Sequence, residues 1–275
     1  MVQLKIIYIT SLFLTICFIV TGQDTYKPQK LKNTNILIDG IIDNNEWYNA
    51  EKVILDYEVN PGNNITPKEN TTAFITYTDT HLYVGIYAYA NPEEVRASVR
   101  SRDDFGMISD DFVLVRFDTY ADGRNNYLLL SNAFGSQLDA RAVNALTDEE
   151  RYDISFNLEY ETKGTIVSDG YQVEFKIPFS SLPFPNGINQ KWNFNITRQA
   201  FREGIPIDIR SQPFDRTDPC QVCQTTDKLI LSEITIKKRV ELLPYVAAGL
   251  GGEKDNIDGP INYSKPKPNA GLGVN

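Results

Sequence analysis

The sequence predicts an all-β protein, a β-sandwich of jelly-roll-like kind. Three observations carry that reading. In Leu82 to Ala90, Leu82, Val84, Ile86 and Ala88 fall on one face while Tyr83, Gly85, Tyr87 and Tyr89 fall on the other, the period of two that marks a strand. With Ala73–Tyr77 and the turn Thr78–His81 this makes a β-hairpin. Phe112–Asp118 and Tyr171–Ile177 repeat the alternation. The strands of residues 73–118 are expected at the centre of the first sheet.

Composition bounds the function. The 275 residues are 41% hydrophobic and 23% charged, enough for one large or two small folded domains. A net charge of −9 and a pI near 4.8 argue against nucleic acid, whose binding rests on Lys and Arg displacing counterions.

The elements follow in chain order. Lys5, the apolar run Ile6–Val20 and the small residues Thr21 and Gly22 read as a signal peptide over residues 1–22, cleaved near Gly22. The run falls short of the roughly 20 residues a spanning helix needs. Cys17 follows Ile16 where a lipobox would have a small residue, so lipidation is not the favoured reading. Residues 23–35 are a polar, basic linker or strand lead-in. Ile36–Trp47 gives a short strand, an Asp-Gly turn and an acidic loop closing on Trp47, a core plug. The sandwich is expected over residues 36–239. Within it Tyr127–Ser131 is a strand, Asn132–Gly135 its turn and Ser136–Arg141 a strand edge. Thr147–Arg151 is a solvated charged turn. Tyr171, Val173, Phe175 and Ile177 face the core, with Gln172, Glu174 and Lys176 outward. Phe179–Pro185 is a buried loop or helical turn, Trp192, Phe194 and Ile196 face inward, and Leu229–Lys237 closes the sandwich.

Candidate chemistry is sparse. Cys220 and Cys223, in a polar loop of an exported chain, read as a local disulfide; a redox motif would open a helix and a zinc site would need two more ligands. His81 is the only histidine and sits in a turn. Asp110 and Asp111 precede one strand, and Asp118 and Asp122 bracket the next turn. Such oxygen ligands suit calcium, and solvated turn carboxylates are the alternative. Nothing fixes two carboxylates at a hydrolytic spacing.

Ile38-Asp39-Gly40, the acidic Asp43–Glu46, Trp47 and Ala50 resemble the opening of family 9 carbohydrate-binding modules. Thr78–Val84, Asn91-Pro92, Asp110-Asp111, Asp118, Asn132 with Gly135, and Tyr171–Pro178 continue the match in order, over about residues 36–236. The resemblance implies a β-sandwich, sugar binding and structural calcium. It departs at the sugar site. Where sugar-binding members stack the ring between two tryptophans, this chain has Ile108 and the loop containing Cys220 and Cys223; Leu114 stands at a carboxylate position. Neither Trp47 nor Trp192 matches a platform. Tyr83 and Tyr87, with Trp192, are the substitute ligand-binding candidates.

Residues 240–275 change character. Leu242, Pro244, Val246, Ala248 and Leu250 alternate with Leu243, Tyr245, Ala247 and Gly249, the weak signature of an outer-membrane β-strand. A polar loop then leads to Ala270–Asn275. This reads as the start of a truncated β-barrel, or as a tail. The expectation is a non-catalytic, glycan-recognising or assembly module in the periplasm or outer membrane of a Gram-negative-type bacterium. The alternatives are an appendage of a glycoside hydrolase, any hydrolysis of O-glycosyl bonds residing in a fused domain, and a periplasmic scaffold or plug that binds partner proteins.

Overall fold

The computed structural model describes residues 23–32, 36–145, 147–234, 242–256 and 258–274. The leader, with Cys17, lies outside the described residues. In chain order the strands are β1 (Thr25–Tyr26), β2 (Glu51–Ile54), β3 (Tyr57–Asn60), β4 (Thr71–Tyr77), β5 (His81–Tyr89), β6 (Phe112–Asp118), β7 (Asn125–Asn132), β8 (Gln137–Val143) and β9 (Tyr152–Asp153). They continue with β10 (Glu161–Val167), β11 (Gly170–Pro178), β12 (Gln190–Arg202), β13 (Ile205–Arg210), β14 (Asp227–Leu231), β15 (Leu242–Gly249), β16 (Gly252–Lys254), β17 (Ile261–Tyr263) and β18 (Lys267–Val274).

Two sheets make a sandwich. The larger runs β1-β14-β12-β6-β7-β8-β9, with β13 also on β12 and β3 on β13; the smaller runs β10-β11-β5-β4-β2. Alternation fixes which side chains meet between them. Val84, Ile86, Val173 and Phe175 of the smaller sheet and Val115, Phe117, Phe194 and Ile196 of the larger are fully buried in one core. The hairpin of residues 73–90 and Phe112–Asp118 therefore do not share a sheet: β5 is central to the smaller and β6 to the larger. Each alternating run had a correct inner face, but periodicity carries no information on which sheet receives it.

Three further expectations change. Residues 36–38 form no strand. The segment read as a lead-in is built into the larger sheet, Thr25 and Tyr26 pairing in parallel with Lys228 and Leu229. Within Asp148–Arg151, a single helical turn, Arg151 is buried and its Nη1 donates to Gln221. At the β7–β8 turn Asn132 Oδ1 accepts from the N–H groups of Phe134 and Ser136. Gly135 (φ 79°) there abuts the Gly164 backbone, where an added Cβ would come within 2.8 Å of its nitrogen, so the turn of one sheet can touch an edge strand of the other.

β15 pairs antiparallel with β18, and β16 with β17, among the described residues with no other strand. The register puts Pro244, Val246 and Ala248 opposite Leu272, Ala270 and Pro268 on one face. The other face carries Leu243, Tyr245, Ala247 and Gly249 opposite Gly273, Gly271, Asn269 and Lys267.

Candidate functional site

The two sheets finish their outer faces differently. Residues 36–50 lie over the smaller sheet, packing Ile36, Ile38 and Trp47 against Tyr83. Gly85 leaves room for the indole, which an added Cβ would approach to 3.1 Å. Glu174, mid-strand and fully buried, anchors the cover. Its Oε2 accepts from the N–H groups of Asp39 (3.0 Å) and Gly40 (2.8 Å), and its Oε1 from Trp47 Nε1 (3.0 Å). Gln172 accepts from the Ile42 N–H at 2.6 Å. Burial pushes the Glu174 carboxyl up to about 7 against these donors. Trp47 is a plug, as expected, though of this outer layer and not of the inter-sheet core. Glu174 and Gln172 do point outward, but into protein and not into water.

The candidate ligand residues do not come together. Tyr83 is buried beneath the 36–50 cover. Trp192 is fully buried between the sheets, against the rings of Phe117, Phe179 and Phe184. Neither presents a face on which a sugar could stack, which corrects their assignment as platforms. Tyr87 alone reaches the surface; it stacks on Tyr89 at 4.2 Å and donates to Asp169.

The aspartates are likewise dispersed. Asp110 takes a two-pronged grip from Arg100 (2.7 and 2.9 Å) and a bond from Asn132. Burial works against its ionisation, but these donors hold its pKa below the usual range. Asp111 receives Arg202 at 2.9 Å and the Phe201 N–H, while burial pushes its carboxyl up. Asp118 accepts from the Gly123 N–H and Asn193 Nδ2, and Asp122 from the Arg124 N–H. Among the described residues no three acidic, histidine or cysteine groups gather where they could share an ion. Asp110 and Asp111, already neutralised by guanidinium, do not fit calcium and act here as ties between loops. Cys220 and Cys223 are joined in a disulfide.

The outer face of the larger sheet lies at the bottom of a groove, its apolar side chains 3–6% exposed. Phe112 and Leu114 of β6, Leu128 and Leu130 of β7, and Leu138 and Ala140 of β8 form an apolar floor. Val222 and Cys220 of the disulfide loop pack on the same layer, and Asn126 donates to the Val222 carbonyl. Phe105 and Ile108, exposed on the helical turn Phe105–Ser109, make one rim, and Tyr152 and Ile154 another. Thr197, Gln199, Asp208 and Arg210 of β12 and β13 make a polar wall. The groove has a volume of about 800 Å³. Ile108 and Leu114, where the family resemblance places a stacking ring and a carboxylate, do meet in it, but as apolar groups. An apolar floor beside a polar wall suits a ligand with one apolar face and a hydroxylated edge.

Arg116 lies in the floor at 7% exposure. Its Nε has no hydrogen-bond partner. Burial lowers its pKa, opposed by the nearby Tyr152 and Asp208 and reinforced by Arg210. Sequence reading placed Glu174 outward and gave neither it nor Arg116 a role, although a charged residue in the middle of an apolar strand was the available signal.

The fold and site together define a two-sheet β-sandwich with one outer face covered by its own chain and the other lined by a groove. Neither a protein-family profile nor a curated protein sequence matches the chain significantly. Among solved structures it is similar to a candidate carbohydrate-binding protein from Bacteroides uniformis, with TM-score 0.57 and 12% identity over 76% of this chain and 99% of that one. A family 9 carbohydrate-binding module from Caldicellulosiruptor kristjanssonii aligns in its glucose complex (TM-score 0.47, 20% identity, 77% and 97% covered). It also aligns in its cellotriose complex (0.49, 20%, 85% and 98%). The first of these likenesses establishes a shared fold.

Proposed function

We propose that the sandwich is a glycan-binding module whose site is the open groove. The observation that carries this is the groove itself: six apolar side chains from three adjacent strands beside a wall of hydroxyl, amide, carboxylate and guanidinium groups. The Bacteroides protein, described as a candidate carbohydrate binder, supports the reading through its fold. With no tryptophan among the described residues that line the groove, simple mono- and disaccharides should bind no tighter than about millimolar. Calorimetry on the mature chain checks this, with Leu138→Asp as the control that spoils the floor. A sugar whose binding survives Leu138→Asp unchanged lies elsewhere, and Tyr87 with Tyr89 becomes the platform to test.

A second reading concerns the 242–274 hairpin. We propose that the chain is exported and held at the outer membrane by a β-barrel to which this hairpin belongs. One face of the hairpin is wholly apolar over residues 244–248 and 268–272, while the other is small or polar, with Tyr245 lying over Gly271. That division suits a strand pair with lipid on one side and a lumen on the other. A two-stranded piece has open edges and needs further strands to close in lipid. Expression of the natural gene product and alkaline washing of membranes should leave it in the outer-membrane fraction; recovery as a freely soluble periplasmic protein rejects the reading.

A further inference from the structure

Arg116 is held by fewer described partners than the buried Arg198 and Arg151 and the half-buried Arg202. Arg198 meets Glu69 at 2.5 Å, Arg202 meets Glu69 and Asp111, and Arg151 bonds the Gln221 side chain and the Ala145 carbonyl. Arg116 forms no ion pair with any described residue, and its side-chain hydrogen bond is to the neutral Tyr152. The nearby carboxylate, Asp208, is committed to Arg210 at 2.8 and 3.2 Å, and Arg210 is itself stacked on Phe214 at 3.7 Å. On this side of the groove two guanidinium groups share one carboxylate. Its neighbours in register are Leu128 on β7 and Asn195 on β12, neither of them charged.

Burying an unpaired charge works against folding. A guanidinium that lines a groove, has a free Nε and shares its nearby carboxylate with a second arginine is a feature that a bound anion completes. Its planar fork matches a carboxylate, and one cation matches one negative charge. The apolar floor on one side and the polar wall on the other do not suit a simple acyl chain, which would leave Thr197 and Gln199 facing hydrocarbon.

We infer that the groove takes an acidic saccharide, with the carboxylate of a uronic acid residue on Arg116 and the apolar face of the sugar on Leu114, Leu128 and Leu130. This rests on the glycan-binding reading and names its substrate class. The test is calorimetry of the mature chain with uronate oligosaccharides, each beside its carboxyl-reduced neutral counterpart, at low and high salt. The acid form should bind at least about tenfold tighter than the neutral form, and the margin should shrink as salt is added. Arg116→Met should abolish that margin while raising the melting temperature, because a methionine fits the apolar floor without a charge. Arg116→Lys should keep part of it.

Equal binding of acid and neutral forms, unaffected by Arg116→Met, would overturn the inference and leave the glycan reading standing. Binding of neither, with tight binding of laurate that depends on Arg116, would overturn both. The salt dependence needs no variant, and its absence from uronate binding by the unmodified protein would also sink the assignment.

Discussion

The smaller and the larger sheet each carry a buried charged residue mid-strand on the outer face, Glu174 in one and Arg116 in the other. The first is enclosed by its own chain. Residues 36–50 supply three N–H donors and an indole lid, so the cost of burying the carboxylate is met internally. The second is walled by loops and has only Asp208, already bonded by Arg210, as a nearby counter-charge. One face is finished structure and the other is a receptor surface, and the difference lies in whether the chain supplies the partner. The two residues are therefore the places to separate stability from binding.

The largest effect is expected at Glu174. Glu174→Ala leaves three donors unsatisfied beneath the cover and should cost about 3 to 4 kcal/mol by urea unfolding. Trp47 fluorescence should shift to the red as the lid loosens. Arg116→Met should move the other way, adding about 1 to 2 kcal/mol, since an unpaired buried charge is replaced by an apolar side chain of similar length. If both substitutions destabilise alike, the two faces are not different in kind.

A pH dependence should accompany these effects. Burial pushes Glu174 and Asp227 up to about 7 from ordinary values of 4.5 and 3.8. Between those limits the folded chain holds protons that the unfolded chain releases. This contribution to stability is fully present below about pH 4 and is lost as the pH rises through about 7. The urea midpoint should fall across that window, and Glu174→Gln should flatten the part due to Glu174. The lowered carboxyls of Asp110, Asp153 and Asp215 act in the opposite sense, at lower pH. The smallest effect is expected from chelation. With Asp110 and Asp111 held by arginine, excess chelator should leave the melting curve unchanged, and a drop of several degrees would restore a calcium site.

What the sequence discloses tracks the reach of each interaction. Phe112–Asp118 matches β6 at both ends, and Tyr171–Ile177 lies within β11 with its inner face correct, because alternation is local. The disulfide was legible for the same reason, its cysteines being three residues apart. The carboxylate roles were not. Asp111 is answered by Arg202 across 91 positions and Glu174 by Gly40 across 134, distances over which no spacing rule operates. Trp192 was open to misreading as a platform because a tryptophan looks the same in sequence whether a core or a ligand covers it.

The parallel pairing of Thr25–Tyr26 with Lys228–Leu229 bears on how the chain is made. Gln23 donates to the Thr226 carbonyl across a separation of 203 residues, so the first strand to be synthesised waits for the last strand of the sandwich. Closing so long a loop makes folding slow, and until then both edges are open to wrong partners. A nascent chain of this design cannot complete its domain from the N-terminus inward; the larger sheet becomes whole only when residue 231 is available, just before the 242–274 hairpin follows.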